Sequence, residues 1–173
     1  MSSEFFALGR VDFITVGAVG EPGERVFYLQ AAQGELLLSL LIEKEHAAAL
    51  SMGIRQMLEQ LGGVPSHAFI PQDLELREPI EPLFRIGSLG LGYDRDEDAL
   101  ILVARALVEE GQPAPEVHFW GSRAQMYALA ERAAEVVMAG RPRCPLCNEP
   151  LLPGEPHDCI RGDGRKWLFR VEG

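Results

Sequence analysis

Residues 35–63, ELLLSLLIEKEHAAALSMGIRQMLEQLGG, indicate the fold class. The apolar run 35–42 fits a strand buried on both faces, although this pattern alone leaves the start of a helix open. The spacing then changes to that of one helical face, on which lie Leu50, Ile54, Met57, Leu58 and Leu61. Gly62 and Gly63 end this helix. A strand that leads directly into a helix predicts a domain of mixed α and β structure.

The preceding residues predict a β-hairpin. Residues 11–19 and 25–31 are rich in β-branched and aromatic side chains, and the intervening residues 20–24 contain two glycines and a proline. Such residues supply the backbone conformations that a tight turn needs.

A linker and a second set of elements follow the first helix. Residues 64–83 contain four prolines among acidic residues, which favours an extended connector. Residues 84–93, 99–108 and 116–120 are β-prone. A second helix then begins with a capping box, in which Ser122 is the N-cap and Gln125 lies three residues later. Its apolar face comprises Met126, Leu129, Ala130, Ala133 and Val137, and it ends at Gly140.

Both halves of the body, residues 1–63 and 84–140, are therefore predicted to contain three strands followed by a helix. We predict an α+β fold: a mainly antiparallel sheet built from two βββα-like halves, with both helices on one face. This order suggests an internal repeat, although the halves share little identity beyond Ala-Leu pairs at 49–50 and 128–129. The sequence leaves open whether the half-sheets join into one continuous sheet. Residues 141–173 form a separate C-terminal module.

The three cysteines of the chain all lie in this C-terminal module. Cys144 and Cys147 have the Cys-x-x-Cys spacing, and His157 and Cys159 follow after a proline-rich loop. Three thiolates and one imidazole complete a tetrahedral zinc shell with no open position for substrate or water. We therefore predict one structural Zn²⁺ per chain in a ribbon- or knuckle-like module. The alternative is a tail with three metal-free thiols.

Composition limits the classes of partner. The formal net charge is −10, and all of the acidic excess lies in residues 1–140, which opposes general binding to nucleic acid. The basic-aromatic run 165–170, RKWLFR, is the exception, because it could stack on bases or pack back on the body. No secretion signal precedes the body, and the apolar runs are too short to span a bilayer, so we predict a cytoplasmic protein without a membrane partner.

Three groups of residues resemble a known family. They are residues 25–31 (RVFYLQA), the Glu43-Lys44 pair, and residues 140–147 (GRPRCPLC). They resemble a bacterial family known only as "domain of unknown function 3090". Its tail typically has Cys-Pro-Leu-Cys-Gly, His-x-Cys, and then an Arg and an Asn-Gly. This chain has Asn148 in place of that glycine, and Arg161, Asp163 and Gly164 at the later positions. The resemblance implies the architecture and the cysteine site but no reaction.

Two acidic groups could bind cations. The turn 94–98 lacks the glycine and distal glutamate of an EF-hand loop, and the acidic residues near 43–46 suit a helix N-terminus. We interpret both as structural.

The function predicted from the sequence is a non-enzymatic, zinc-containing binding or adaptor protein with an unknown protein partner. An alternative is a protein or enzyme that binds a small phosphorylated compound. Ser122 and Arg123 would hold the anion, because the N-terminus of the second helix offers free N–H groups. A weaker alternative is nucleic-acid contact by the basic-aromatic run 165–170.

Overall fold

A computed structural model describes residues 5–21, 23–139, 144, 146 and 147. These residues form a seven-stranded mixed sheet and two helices, an α+β fold. The elements are β1 (Phe5–Arg10), β2 (Phe13–Val19), β3 (Val26–Gln33), β4 (Leu36–Ile42), α1 (Lys44–Gln60), β5 (Pro82–Asp94), β6 (Ala99–Ala106), β7 (Glu116–Gly121) and α2 (Arg123–Ala139). None of these helices has the length and apolar character needed to cross a membrane.

Most strand pairs are antiparallel, as predicted. The strands β2, β3 and β4 form one meander, which includes the predicted hairpin, and β5, β6 and β7 form the other. The two meanders join through a parallel pair, in which Ser39 of β4 lies opposite Pro82 of β5. The half-sheets therefore form one continuous sheet, with the strand order β1-β7-β6-β5-β4-β3-β2.

The first strand predicted from the sequence, residues 11–19, starts two residues too early, because β2 begins at Phe13. The chain forms β1 before this segment, and β1 pairs in parallel with β7 at the other end of the strand order. Val11 N donates to Trp120 O (2.9 Å), while Asp12 N donates to Ala32 O (2.8 Å). Two consecutive residues thus bond to strands from opposite ends of the sheet. The sheet must curl strongly, because a short dipeptide connects its two edge strands.

Both helices contribute to the same hydrophobic core. Ile54 and Leu58 of α1 and Leu129 and Ala133 of α2 belong to one cluster of buried residues. The cluster also contains alternate strand residues, which therefore share one face of the sheet: Ile14, Val16, Leu29, Ala31, Leu40, Ile42, Leu100, Leu102, Val117 and Phe119. We call the opposite face of the sheet the outer face.

The prediction that β4 is buried on both faces overstates its burial. Leu40 and Ile42 are buried beneath the helices, but Leu36 at the start of the strand is 54% exposed. Leu37 and Leu41 on the outer face are half-buried. An almost unbroken apolar run can therefore mark a strand that is only partly buried on each face.

The predicted linker has no regular secondary structure up to residue 81, and part of it packs on the sheet. Residues 70–77, which we call the covering segment, cross the outer face of β2 and β3. Thr15 Oγ1 donates to Leu74 O. The Gln30 amide donates to Arg77 O (2.8 Å) and accepts from Arg77 N (2.7 Å). These bonds satisfy two polar side chains that are buried within otherwise apolar strands.

Candidate functional site

The N-terminus of α2 is the better described of the two predicted sites. Ser122 N donates to Gln125 Oε1 (2.9 Å), and Gln125 N donates to Ser122 Oγ (3.1 Å), so the predicted capping box is present. Gln125 Nε2 also donates to Val11 O (2.8 Å). The start of the helix is therefore fixed to the dipeptide that separates β1 from β2.

The Arg123 guanidinium bonds to groups within the chain. Its Nε donates to Asp98 Oδ1 (2.8 Å), and one terminal nitrogen donates to Leu61 O (2.6 Å) and Gly63 O (3.1 Å). These carbonyls lie just beyond the C-terminus of α1, so Arg123 ties this end of α1 to the start of α2. The Arg123 side chain is only 20% exposed. An incoming anion would have to compete with Asp98 for this guanidinium.

Asp98 is the acidic partner in this cluster. Tyr93 OH donates to Asp98 Oδ1 (2.6 Å). This bond is the main cause that lowers the pKa of Asp98, and the bond from Arg123 lowers it further. Asp98 in turn raises the pKa of Arg123. The carboxylate and the guanidinium thus stabilise each other's charged forms.

A cavity of about 280 Å³ lies beside this cluster. Its lining combines both predicted anion-binding residues, Ser122 and Arg123, with acidic side chains at Glu97 and Asp98. Arg10 lines the cavity as well and forms an ion pair with Glu97. Anion binding by Ser122 and Arg123 stays a prediction.

The predicted zinc site is only partly within the described residues. Cys144 is 2% exposed, Cys147 is half-buried, and residues 146 and 147 form a turn. His157 and Cys159 lie outside the described residues, as does the run 165–170. The four-ligand site is therefore still a prediction.

The two acidic groups have structural contacts. Asp94 Oδ1 accepts hydrogen bonds from the backbone of Asp96 (3.0 Å) and Glu97 (3.2 Å), as a carboxylate does when it stabilises a hairpin turn. Glu43 forms an ion pair with Arg85 (2.5 Å). Among the residues placed by the structure, no three His, Cys, Asp or Glu side chains are grouped to hold a metal ion.

One polar cluster was not predicted from the sequence. On the outer face, Glu116 accepts hydrogen bonds from Arg105 (2.8 Å to the closer nitrogen), and its other oxygen lies 2.6 Å from His118 Nε2. His118 is the largest cause of the lowered pKa of Glu116, and Arg105 is the second. Alternation along β7 places Glu116 and His118 on the same face. The cross-strand Arg105 could be found only once the register was known.

Comparison with known proteins places the chain in a family. The family model described as "Protein of unknown function (DUF3090)" matches residues 6–159, from β1 to the last cysteine. The chain belongs to this family. No curated protein matches the chain, and no solved structure does. The description of the DUF3090 family names no activity, so the function of this member must be argued from its own residues.

Proposed function

We propose that this DUF3090 member is a non-enzymatic binding protein of the cytoplasm. Its C-terminal module would be stabilised by one structural zinc ion and would present a surface to a protein partner. Cys144, Cys147, His157 and Cys159 would hold the ion. A reducing compartment favours this role, because the thiols stay available as metal ligands.

The burial of Cys144 is the observation that best supports this proposal. Cys144 is 2% exposed, so other residues pack around it, and Cys147 follows on a turn. A Cys-x-x-Cys pair on a turn can direct two thiolates to one ion, and His157 and Cys159 supply the remaining two ligands. The loop between the pairs is rich in proline and poor in apolar residues, so ion binding would provide much of its folding free energy.

A closed four-ligand shell suits a structural ion. Cys₃His coordination leaves no open position at which zinc could activate water or polarise a substrate. The ion would then act by fixing the shape of the module, which is why we assign a binding role and not a reaction.

The first experiment measures metal content on protein purified without added metal. We expect one zinc per chain in the unmodified protein, and loss of that zinc in Cys147→Ser, His157→Asn and Cys159→Ser. His67→Asn is the matched control, because His67 lies on an exposed turn of the connector outside the motif. Metal-free protein with three titratable thiols would overturn the proposal.

Binding of a small phosphorylated ligand is the second candidate, and the cavity beside Ser122 and Arg123 supports it. It ranks second because Arg123 already bonds to Asp98 and to two carbonyl oxygens. Calorimetric titration with inorganic phosphate, with Ser122→Ala as the comparison, tests it. Nucleic-acid contact through residues 165–170 remains the weakest alternative, and it would weaken steeply with added salt.

A further inference from the structure

The two halves of the sheet share one pairing scheme. In the first half, Gly17, Tyr28 and Leu41 are cross-strand neighbours on β2, β3 and β4. In the second half the corresponding row is Gly92, Ile101 and Trp120 on β5, β6 and β7. Leu41 and Trp120 each lie three positions before the helix that follows, which begins at Lys44 or Arg123. Positions in one half can therefore be compared with positions in the other.

The outer face of the first half is covered by residues 70–77. Leu76 of this segment lies directly over Gly17, where an added Cβ would be 2.4 Å from Leu76 Cγ. Arg77 lies over the ring of Phe13, with 3.8 Å between the guanidinium carbon and the ring centroid. The covering segment thus fills the space that the glycine leaves.

The corresponding space in the second half is not filled by any described residue. A Cβ added at Gly92 would meet no described atom within 4 Å. In the next cross-strand row, Thr15, Gln30 and Ser39 of the first half are buried. The corresponding residues of the second half are exposed at Gly90 and half-buried at Val103 and His118. Among the described residues, this part of the outer face therefore lacks the cover that residues 70–77 give to the first half.

A second comparison leads to the same conclusion. Ala128 of α2 is buried in a small cluster with Leu74 and Ile70 of the covering segment. Ala49 holds the equivalent position in α1, five residues after its first residue, and is exposed. A largely apolar cavity of about 400 Å³ lies at Ala49, between α1 and β5. The counterparts of Ile70 and Leu74 are again missing among the described residues.

The position in the chain identifies the occupant. The covering segment follows α1, and the residues that follow α2 are 140–173. Cys144 is 2% exposed, so the chain is already packed against other residues shortly after α2. Ile70 and Leu74 come ten and fourteen residues after Gln60, the last residue of α1. The same interval after Ala139 spans residues 149–153, which include Leu151 and Leu152.

We propose that the C-terminal segment, residues 148–173, covers the outer face of β5, β6 and β7, anchored by Leu151 and Leu152. This segment would cover the outer face of the second half as residues 70–77 cover the outer face of the first. Burial of Ile101, Val103 and Trp120 beneath it would provide the driving force. The proposal does not require zinc, although the anchor lies between the two pairs of predicted ligands.

Limited trypsin digestion of the full-length protein tests this docking, with cleavage at Arg161, Arg165 and Lys166 followed by mass spectrometry. A docked segment is cleaved slowly, because trypsin needs extended, accessible backbone. We expect the double variant Leu151→Asp/Leu152→Asp to be cleaved at least tenfold faster than the unmodified protein. Leu146→Asp, two residues before this segment, is the control, because Leu146 is exposed, and the cleavage rate of this variant should equal that of the unmodified protein.

Gly92→Leu tests the proposal from the sheet side without altering the tail. A Cβ at position 92 meets no described atom within 4 Å, and the leucine side chain would extend into the space assigned to the C-terminal segment. We expect this variant also to be cleaved at least tenfold faster, with Glu109→Leu in an exposed connector as the control.

Zinc content, measured on the same samples, separates this proposal from the zinc proposal. Faster cleavage of Gly92→Leu with zinc retained supports docking. Unchanged cleavage of both Gly92→Leu and the double variant would overturn it. Protection that rises with protein concentration would also overturn it, because a second copy would then be the occupant.

Discussion

At the residue scale, Arg123 and Asp98 connect segments that are distant in sequence. Asp98 lies in the turn between β5 and β6, and Arg123 begins α2 and reaches the carbonyls after α1. Hydrogen bonds between charged groups are stronger than those between neutral groups, so the cluster contributes to stability as well as to geometry.

The pH dependence of stability reports on this cluster. Hydrogen bonds from Tyr93 and Arg123 lower the pKa of Asp98 in the folded protein. A lowered folded pKa gives stabilisation that is full above the unfolded pKa and is lost as pH falls through the folded pKa. We therefore expect Asp98→Asn to reduce the urea midpoint between pH 6 and 8. The difference from the unmodified protein should begin to shrink below about pH 4, the unfolded pKa of Asp, and should vanish only below the lowered folded pKa.

Asp96→Asn, in the same turn, is the control for this measurement. Glu116 also has a lowered pKa, but it is present in all these proteins and does not affect the difference. If the urea midpoints of Asp98→Asn and the unmodified protein differed by the same amount down to pH 3, the ionised Asp98 carboxylate would not be the source of the stabilisation.

Gly17 is needed because the covering segment passes close to it. The Cβ of an alanine would lie 2.4 Å from Leu76 Cγ, so the segment would have to shift. We expect Gly17→Ala to lower the free energy of unfolding by about 1–3 kcal/mol. Urea unfolding of Gly17→Ala, Leu76→Ala and the double variant tests this. The added alanine should cost little once Leu76 is truncated, and equal costs in both backgrounds would argue against the clash.

At the element scale, local sequence patterns identified most helices and strands. The periodicity from Leu50 and the Ser122–Gln125 box located α1 and α2, because helix contacts and caps are close in sequence. β1 was missed because its pairing partner, β7, lies more than 100 residues away. Thr15 and Gln30, polar residues within apolar strands, were the available signals that something bonds to the outer face.

The same distinction between near and distant contacts in sequence applies to the candidate sites. The cysteine motif could be recognised because its members are near neighbours in sequence. The partners of Arg123 and Glu116 could not, because β-strand register and the approach of α1 to α2 bring them together. Sequence distance therefore decided what could be predicted.

The capping box of Ser122 and Gln125 contributes to the stability of α2. Ser122 Oγ accepts from Gln125 N, and its loss leaves a helix N–H without its partner. We expect Ser122→Ala to cost about 1 kcal/mol. Gln125→Ala should cost more, because Gln125 also bonds to Val11 O. Chemical unfolding followed by far-UV circular dichroism measures both, with Gln56→Ala on the exposed side of α1 as control. A smaller loss for Gln125→Ala than for Ser122→Ala would contradict this ranking.

At the scale of the whole molecule, the halves are interlocked. The strand β5 pairs with β4 of the first half, and β1 pairs with β7 of the second. The helices are also joined, because Ser51 Oγ donates to Ala130 O (2.8 Å) and Arg55 forms an ion pair with Glu131 (2.9 Å). Each half therefore completes the core of the other.

This arrangement predicts one cooperative unfolding transition for residues 5–139. Neither half can unfold without exposing the apolar surface of the other, so no half-folded intermediate should accumulate. Far-UV circular dichroism and the fluorescence of Trp120, recorded in a Trp167→Phe chain, should give the same urea midpoint. Two separated midpoints would show that the halves unfold independently.

The dipeptide Val11-Asp12 places a limit on how the length of this chain can vary. Val11 bonds to β7 and Asp12 bonds to β3, so an inserted residue would shift one of the two flanking strands, β1 or β2. A shift of one residue reverses the faces of a strand, which would turn Leu8 or Ile14 out of the core. In the connector between β6 and β7, residues 108–113 are exposed, and none of their described backbone hydrogen bonds reaches a strand. Natural insertions and deletions in this family should therefore accumulate in that connector and avoid positions 11 and 12.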